Sequence, residues 1–171
     1  PGNNCTPILE PVKHILTDAD ITFGNLEGCF LDEGKVVKQC RDTTKCYAFK
    51  MPEKYISCLV ESGFDVVSLA NNHVGDFGDA GRTKTISLLD SVGIHYGGLL
   101  THPTSVFEHN GVKYGFCAFA PNKGTCNINN IPYAKSIVSG LKDKVDIVIV
   151  SFHGGAEGSN HRNITRETEY F

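Results

Sequence analysis

The segment Phe64-Asp65-Val66-Val67-Ser68-Leu69-Ala70 is a nearly unbroken apolar run, bounded by Gly63 on one side and two asparagines on the other. A half-exposed strand would alternate apolar and polar residues, so this run reads as a strand covered on both faces. "VDIVIVSFHGG", residues 145–155, gives a second wholly apolar strand. Helical patterns lie between and before them. Ile8 to Leu16 places Ile8, Val12, Ile15 and Leu16 on one side, and "PEKYISCLVESG" starts with Pro52, shares a face among Tyr55, Cys58, Leu59 and Ser62, and stops at Gly63. Asp79 is expected to cap a third helix with Ile86, Leu89 and Val92 inward and Gly93 at its end; Ala134 to Leu141 forms a fourth. "TSVFEH", Asn110-Gly111 and "VKYGFCAFA" spell a hairpin. Gly28 to Lys50 is polar and aperiodic and reads as an irregular inserted loop. The alternation of helices and strands predicts an α/β fold with helices on both sides of the sheet.

The 171 residues suffice for one domain with a sizeable core. A net charge of −3 with scattered Lys and Arg provides no basic field, so nucleic acid is not expected as a partner. No apolar run approaches the ~20 residues of a membrane span. The first ten residues, "PGNNCTPILE", have neither a basic n-region nor an apolar h-region. The chain begins without Met and ends at "RETEYF" inside a helical pattern, so it reads as a fragment. The seven cysteines (positions 5, 29, 40, 46, 58, 117 and 126) show no C-x₂-C spacing, which disfavours a zinc ribbon and a dithiol redox module. Cys40 and Cys46, or Cys117 and Cys126, could each close a short loop in an oxidising compartment. Seven residues bring two Cα atoms within reach of a disulfide, and that is the expectation for Cys40 and Cys46. Free thiols packed as small hydrophobes are the alternative, above all for Cys58 on its helical face.

Three strands end alike. Ile21–Phe23 runs into Gly24-Asn25-Leu26-Glu27. Val66–Ala70 runs into Asn71-Asn72-His73, with Asp76 just beyond. Ile147–Ser151 runs into Phe152-His153-Gly154-Gly155-Ala156-Glu157. Ligands of open α/β sheets bind at the carboxyl ends of strands, so these polar groups can converge from distant points of the chain. Carboxylate, amide oxygen and imidazole donors suit Mn, Fe, Zn or Mg. His14, His95, His102, His109 and His161 lack such a setting and read as surface or packing residues.

In this order, "NLE", "GFDVVSLANNHVGDFG" and His153-x-Gly155-x-Glu157 resemble the CapA family of bacterial capsule and poly-γ-glutamate synthesis proteins, within the calcineurin-like metallophosphoesterases. The resemblance runs from about Ile8 to the C-terminus. It implies a four-layer α/β/β/α sandwich, of which this chain holds the N-terminal and central part, with a dinuclear centre of divalent metal. It also implies Glu27, Asn72 and His153 as metal ligands and His73 as the general acid or phosphate-contacting histidine. Asn25, Asn71, Asp76 and Glu157 would support the metal site or contact substrate, Asp76 by orienting His73. The superfamily's opening Gly-Asp and late His-x-His motifs are absent from the chain, and would fall upstream of Pro1 and beyond Phe171.

By the same resemblance, the function is a metal-dependent hydrolase of a phosphoester or related bond, placed at the cell envelope with a capsule-synthesis membrane complex as an expected partner. The alternative is a non-catalytic accessory protein that binds an anionic capsule polymer or a ligase partner. With at most three ligands and no first strand, the chain alone is expected to fold poorly and to bind metal weakly.

Overall fold

Each apolar run forms a strand, and the cover on its two faces defines the layers. The computed structural model describes residues 6–40, 43–155 and 163. Helix α1 (Thr6–Asp18) precedes β1 (Phe23–Asn25), and the short strands β2 (Cys29–Phe30) and β3 (Lys50–Met51) pair in parallel. After α2 (Ile56–Glu61) come β4 (Val66–Ser68), α3 (Gly78–Val92) and β5 (His95–Gly97). The hairpin β6 (Thr104–His109) and β7 (Val112–Phe119) leads to α4 (Ile131–Lys142) and β8 (Ile147–Phe152). One sheet has the order β1-β4-β5, all parallel; the other has the order β6-β7-β8, with β8 parallel to β7. Among the described residues, no helix is long and apolar enough to cross a membrane.

Successive strand residues point to opposite faces, and the cores divide accordingly. Val67 and Leu69 join Ile56, Leu89, Ile94 and Leu99 in a core packed by Leu59 and Ile86 of α2 and α3. Val66 and Ala70 face the other way and meet Phe107, Phe116 and Ala118 of the second sheet, with Ala120 just past β7. Cys117 and Phe119, on the far face of β7, pack with Leu141, Ile137 and Val138 of α4. The layers are therefore helix, sheet, sheet, helix, the expected α/β/β/α sandwich. Covering each of Val66, Val67 and Leu69 contributes about 1.5–3 kcal/mol. The sheets approach so closely at Gly98 that a Cβ there would stand 2.6 Å from that of Ala70 and 2.9 Å from that of Ala118. The hairpin turns through Asn110 and Gly111, with φ of 51° and 79°, the conformation that an Asn-Gly pair tolerates best.

The expected boundaries shift where long-range pairing overrides local pattern. The first strand lies at Phe23–Asn25, two residues beyond Ile21, because its register is set by Phe23 opposite Val66 and Asn25 opposite Ser68. Residues 28–50 are not wholly irregular. Cys29 and Phe30 are fully buried, and Phe30 N–H donates to Thr85 Oγ1 of α3 at 2.9 Å. Helix α3 begins at Gly78 with Phe77 at its N-cap, so Asp79 lies in the first turn and pairs with Arg82 at 2.7 Å. His95 is a strand residue, in β5 beside β4, and its ring stacks on Phe107 at 4.4 Å. Val12 and Ile15 of α1 remain exposed. Strand β8 is less covered than its composition suggests, with Ile147, Val150 and Phe152 all exposed at an edge of the second sheet.

The cysteines divide by environment. Cys40 and Cys46 form a disulfide with Cα atoms 5.7 Å apart. Cys58 is also disulfide-bonded, so the free-thiol reading of it fails. Cys117 and Cys126 do not bridge; with Cys29 they are buried free thiols. Burial pushes the Cys29 and Cys117 thiols up to about 11, which removes them as nucleophiles at neutral pH.

Candidate functional site

The chain leaves β4 through a turn that Asn71 organises. This side chain is fully buried. Its Oδ1 accepts from the backbone N–H of His73 at 3.0 Å and of Val74 at 2.8 Å. Its Nδ2 donates to Leu26 C=O at 2.9 Å and to Asn25 Oδ1 at 3.2 Å. An amide has two donor hydrogens and two acceptor lone pairs, and all four are used. Asn71 thus braces the end of β4 against the end of β1. Asn25 passes the contact on, since its Nδ2 donates to Glu27 Oε2 at 3.2 Å.

His73 stands on that brace with little exposure. Its Nδ1 is 2.6 Å from Asp76 Oδ2 and 3.2 Å from Lys38 Nζ. The carboxylate contact is shorter and needs a proton on Nδ1, so the lysine contact is an approach of like donors and not a hydrogen bond. The other nitrogen, Nε2, faces Glu27 Oε1 at 3.8 Å. Phe49 stacks on the imidazole at a centroid distance of 3.9 Å and 16° between planes.

Asp76, 1% exposed, is the hub beneath the histidine. Its Oδ2 also accepts from Phe49 N–H at 2.9 Å, and its Oδ1 meets Lys38 Nζ at 3.0 Å. Its backbone carbonyl accepts from Val37 N–H at 2.8 Å and Lys38 N–H at 3.2 Å. The segment between Val37 and Phe49 is therefore fastened to the end of β4 from both sides, and the Cys40–Cys46 disulfide closes it between Lys38 and Phe49. The third strand end joins by a different contact: His153 Nε2 lies 3.1 Å from Asn72 Oδ1. His153 is held there by its own N–H, which donates to Phe119 C=O at 2.9 Å.

The expected residues thus come together in two linked groups around the Asn71-Asn72-His73 turn. Asn25, Glu27, His73 and Asp76 form one, and Asn72 with His153 the other. Glu157 lies outside the described residues, as do Cys5 and His161. Among the described residues, no three His, Cys, Asp or Glu side chains gather into a group that could hold a metal ion. Of the three expected ligands, Asn72 and His153 meet while Glu27 faces His73; their carboxylate, amide oxygen and imidazole donors are of the chemistry that Mn, Fe, Zn or Mg accept. Lys38 and Phe49 were missed in the sequence because they come from a segment without periodicity. The one signal there was the cysteine pair that brackets the loop between them.

Removing that bracket gives a first prediction. A Cys40→Ser/Cys46→Ser double variant is expected to lose about 2 kcal/mol of stability, the loop entropy of so short a closure. Hydrogen exchange at the Phe49 amide should quicken, because its partner Asp76 Oδ2 is then approached by a looser chain. Denaturation and amide exchange of the variant check both; an unchanged Phe49 amide would show that the disulfide does not hold the loop on Asp76.

A two-sheet α/β sandwich with carboxylate, amide and imidazole groups at its strand ends is of the metallophosphoesterase-like class. A family model for the bacterial capsule synthesis protein PGA_cap matches residues 1–169, and the chain belongs to that family. It is similar to a capsule biosynthesis protein, CapA, of Bacillus anthracis, at 27% identity over 172 aligned positions that cover 90% of this chain and 41% of the relative. Two uncharacterized proteins of Sinorhizobium fredii are 30% identical over 103 positions, covering 57% of this chain and 21% of each relative. The chain thus spans about two fifths or less of the length of these relatives.

Proposed function

We propose that this chain supplies the acid–base half of a metal-dependent phosphoester hydrolase that works in capsule biosynthesis at the cell envelope, poly-γ-glutamate capsule being the material that the family resemblance implies. The observation that carries this reading is the histidine dyad. Asp76 holds the Nδ1 proton of a buried His73, and Nε2 is turned toward Glu27. Hydrolysis breaks the bond between phosphorus and the leaving oxygen, and that oxygen must take up a proton. A histidine whose Nδ1 is held by a carboxylate is suited to deliver it from Nε2, because the carboxylate fixes the ring and stabilises the imidazolium. Phe49 keeps one ring face dry and prevents rotation. Glu27, Asn72 and His153 would hold divalent metal, which when bound polarises the phosphoryl oxygen and lowers the pKa of its water. A disulfide at Cys40–Cys46 agrees with an oxidising, extracytoplasmic setting.

His73→Ala in the full-length protein is expected to lower any phosphoesterase activity by about 10²–10⁴-fold, the range of general acid catalysis, while leaving bound metal nearly unchanged. Metal analysis and turnover on the same preparation test it. Stoichiometric loss of metal from the variant would reassign His73 from proton transfer to ligation.

A further inference from the structure

A cleft of about 510 Å³ opens beside the His73 turn, and its walls include Lys38, Asn72, Asp76, Arg82, Asn122 and Lys123. The walls carry three cations against one carboxylate, on a chain whose net charge is −3. That carboxylate, Asp76, is already saturated by Lys38, His73 and the Phe49 amide. Arg82 lies across two loops: a Cβ at Gly75 would meet its Nη1 at 3.1 Å and one at Gly124 at 3.5 Å. Its ion pair is with Asp79, whose side chain is 93% exposed, so this pair is open to water and screened. Lys123 has no carboxylate partner among the described residues. The same wall contains Asn122 Oδ1, a buried acceptor with no hydrogen-bond partner among the described residues; an acceptor meets a donor and not an anion, which leaves the anion-binding character of the wall to its cations.

Building on the hydrolase reading, we infer that this cleft is a substrate-docking subsite that takes a second anionic group, a carboxylate or a phosphate, next to the bond that reacts at His73. Asn72 lies in both the cleft wall and the strand-end group, so a substrate over Asn72 extends its far end toward Arg82 and Lys123. Arg82 supplies a planar fork that matches two oxyanion oxygens, and Lys123 adds a point charge. Together they determine specificity for substrates with an anion beyond the scissile group.

The test is binding, which does not depend on turnover. Full-length protein is titrated with inorganic pyrophosphate in one arm and with tricarballylate in the other, by calorimetry at low ionic strength, and the tighter anion identifies the source. Arg82→Gln/Lys123→Gln is expected to weaken that anion at least about tenfold, as loss of hydrogen bonds to charged groups implies. Arg82→Lys should recover part of the affinity, and thermal stability and metal content should not move. Equal affinity in the double variant, or no binding of either anion to the unaltered protein at millimolar concentrations, overturns the inference. A protein that binds the anion through Arg82 and Lys123 yet hydrolyses nothing keeps the subsite and sinks the hydrolase reading.

Discussion

Replacing Asp76 with alanine is expected to cost about 3 kcal/mol of stability and to abolish whatever depends on an oriented His73. One buried carboxylate receives the His73 Nδ1 proton at 2.6 Å, the Phe49 amide at 2.9 Å and the Lys38 ammonium at 3.0 Å. Truncation strands all three. Breaking a buried ion pair from one side costs about 3–5 kcal/mol because the other charge is left uncompensated. Lys38 is only partly buried and can turn outward, which places the value near the lower end. Asp76→Asn keeps the shape and an acceptor for Phe49 N–H but loses the charge, so it should lose less stability and still impair the histidine. Denaturant midpoints at constant slope measure the difference. If alanine at this position costs less than about 1 kcal/mol, the ordinary net value of one hydrogen bond, then Asp76 is not the fastening point described here.

Asn71→Ala should be nearly as damaging, at about 3 kcal/mol, although the residue carries no charge. It removes four hydrogen bonds at once and leaves Leu26 C=O and the His73 and Val74 N–H groups without their partner. Each buried group left unmet costs about 1–3 kcal/mol, reduced where water can enter. Asn71→Asp separates the two halves of the brace. It preserves the oxygen that organises the turn, but it loses the donors to Leu26 and Asn25 and puts a charge opposite a carbonyl. Exchange of the His73 and Val74 amides should therefore rise sharply in the alanine variant and less in the aspartate variant. Identical exchange in both would mean that the turn holds without the Asn71 acceptor.

The two variants also mark how the site relates to the fold. Asn71 joins neighbouring strand ends of one sheet, a contact that parallel register makes inevitable once Asn25 lies opposite Ser68. Asp76 instead joins β4 to a segment delivered from residues 37–49, which no sheet register places. The first kind of contact follows from an element; the second depends on a loop closed by Cys40–Cys46.

Local chemistry was enough to read much of this chain. The apolar run at Val66–Ala70 signals a strand covered on both sides because two-sided burial leaves no polar period. Asn110-Gly111 signals the hairpin because those residues accept positive φ. Pro52, Gly63 and Gly93 mark helix ends for equally local reasons. Glu27, Asn72, His73 and His153 could be singled out because polar residues directly after buried strands are conspicuous, and strand ends on one side of a sheet tend to share a site. What tertiary structure decided is of another kind. The brief β5 was hidden because three residues have too little period to register. β8 looks apolar like β4 but lies at an edge, since composition does not say which neighbours a strand will have. Lys38, Phe49 and Lys123 reach the site from parts of the chain with no pattern of their own, and the pattern of α3 does not say that Arg82 will line a cleft. Periodicity and turn chemistry are properties of consecutive residues, whereas the partner of a buried carboxylate or the wall of a cleft is chosen by contacts across the chain, and only the folded molecule contains those.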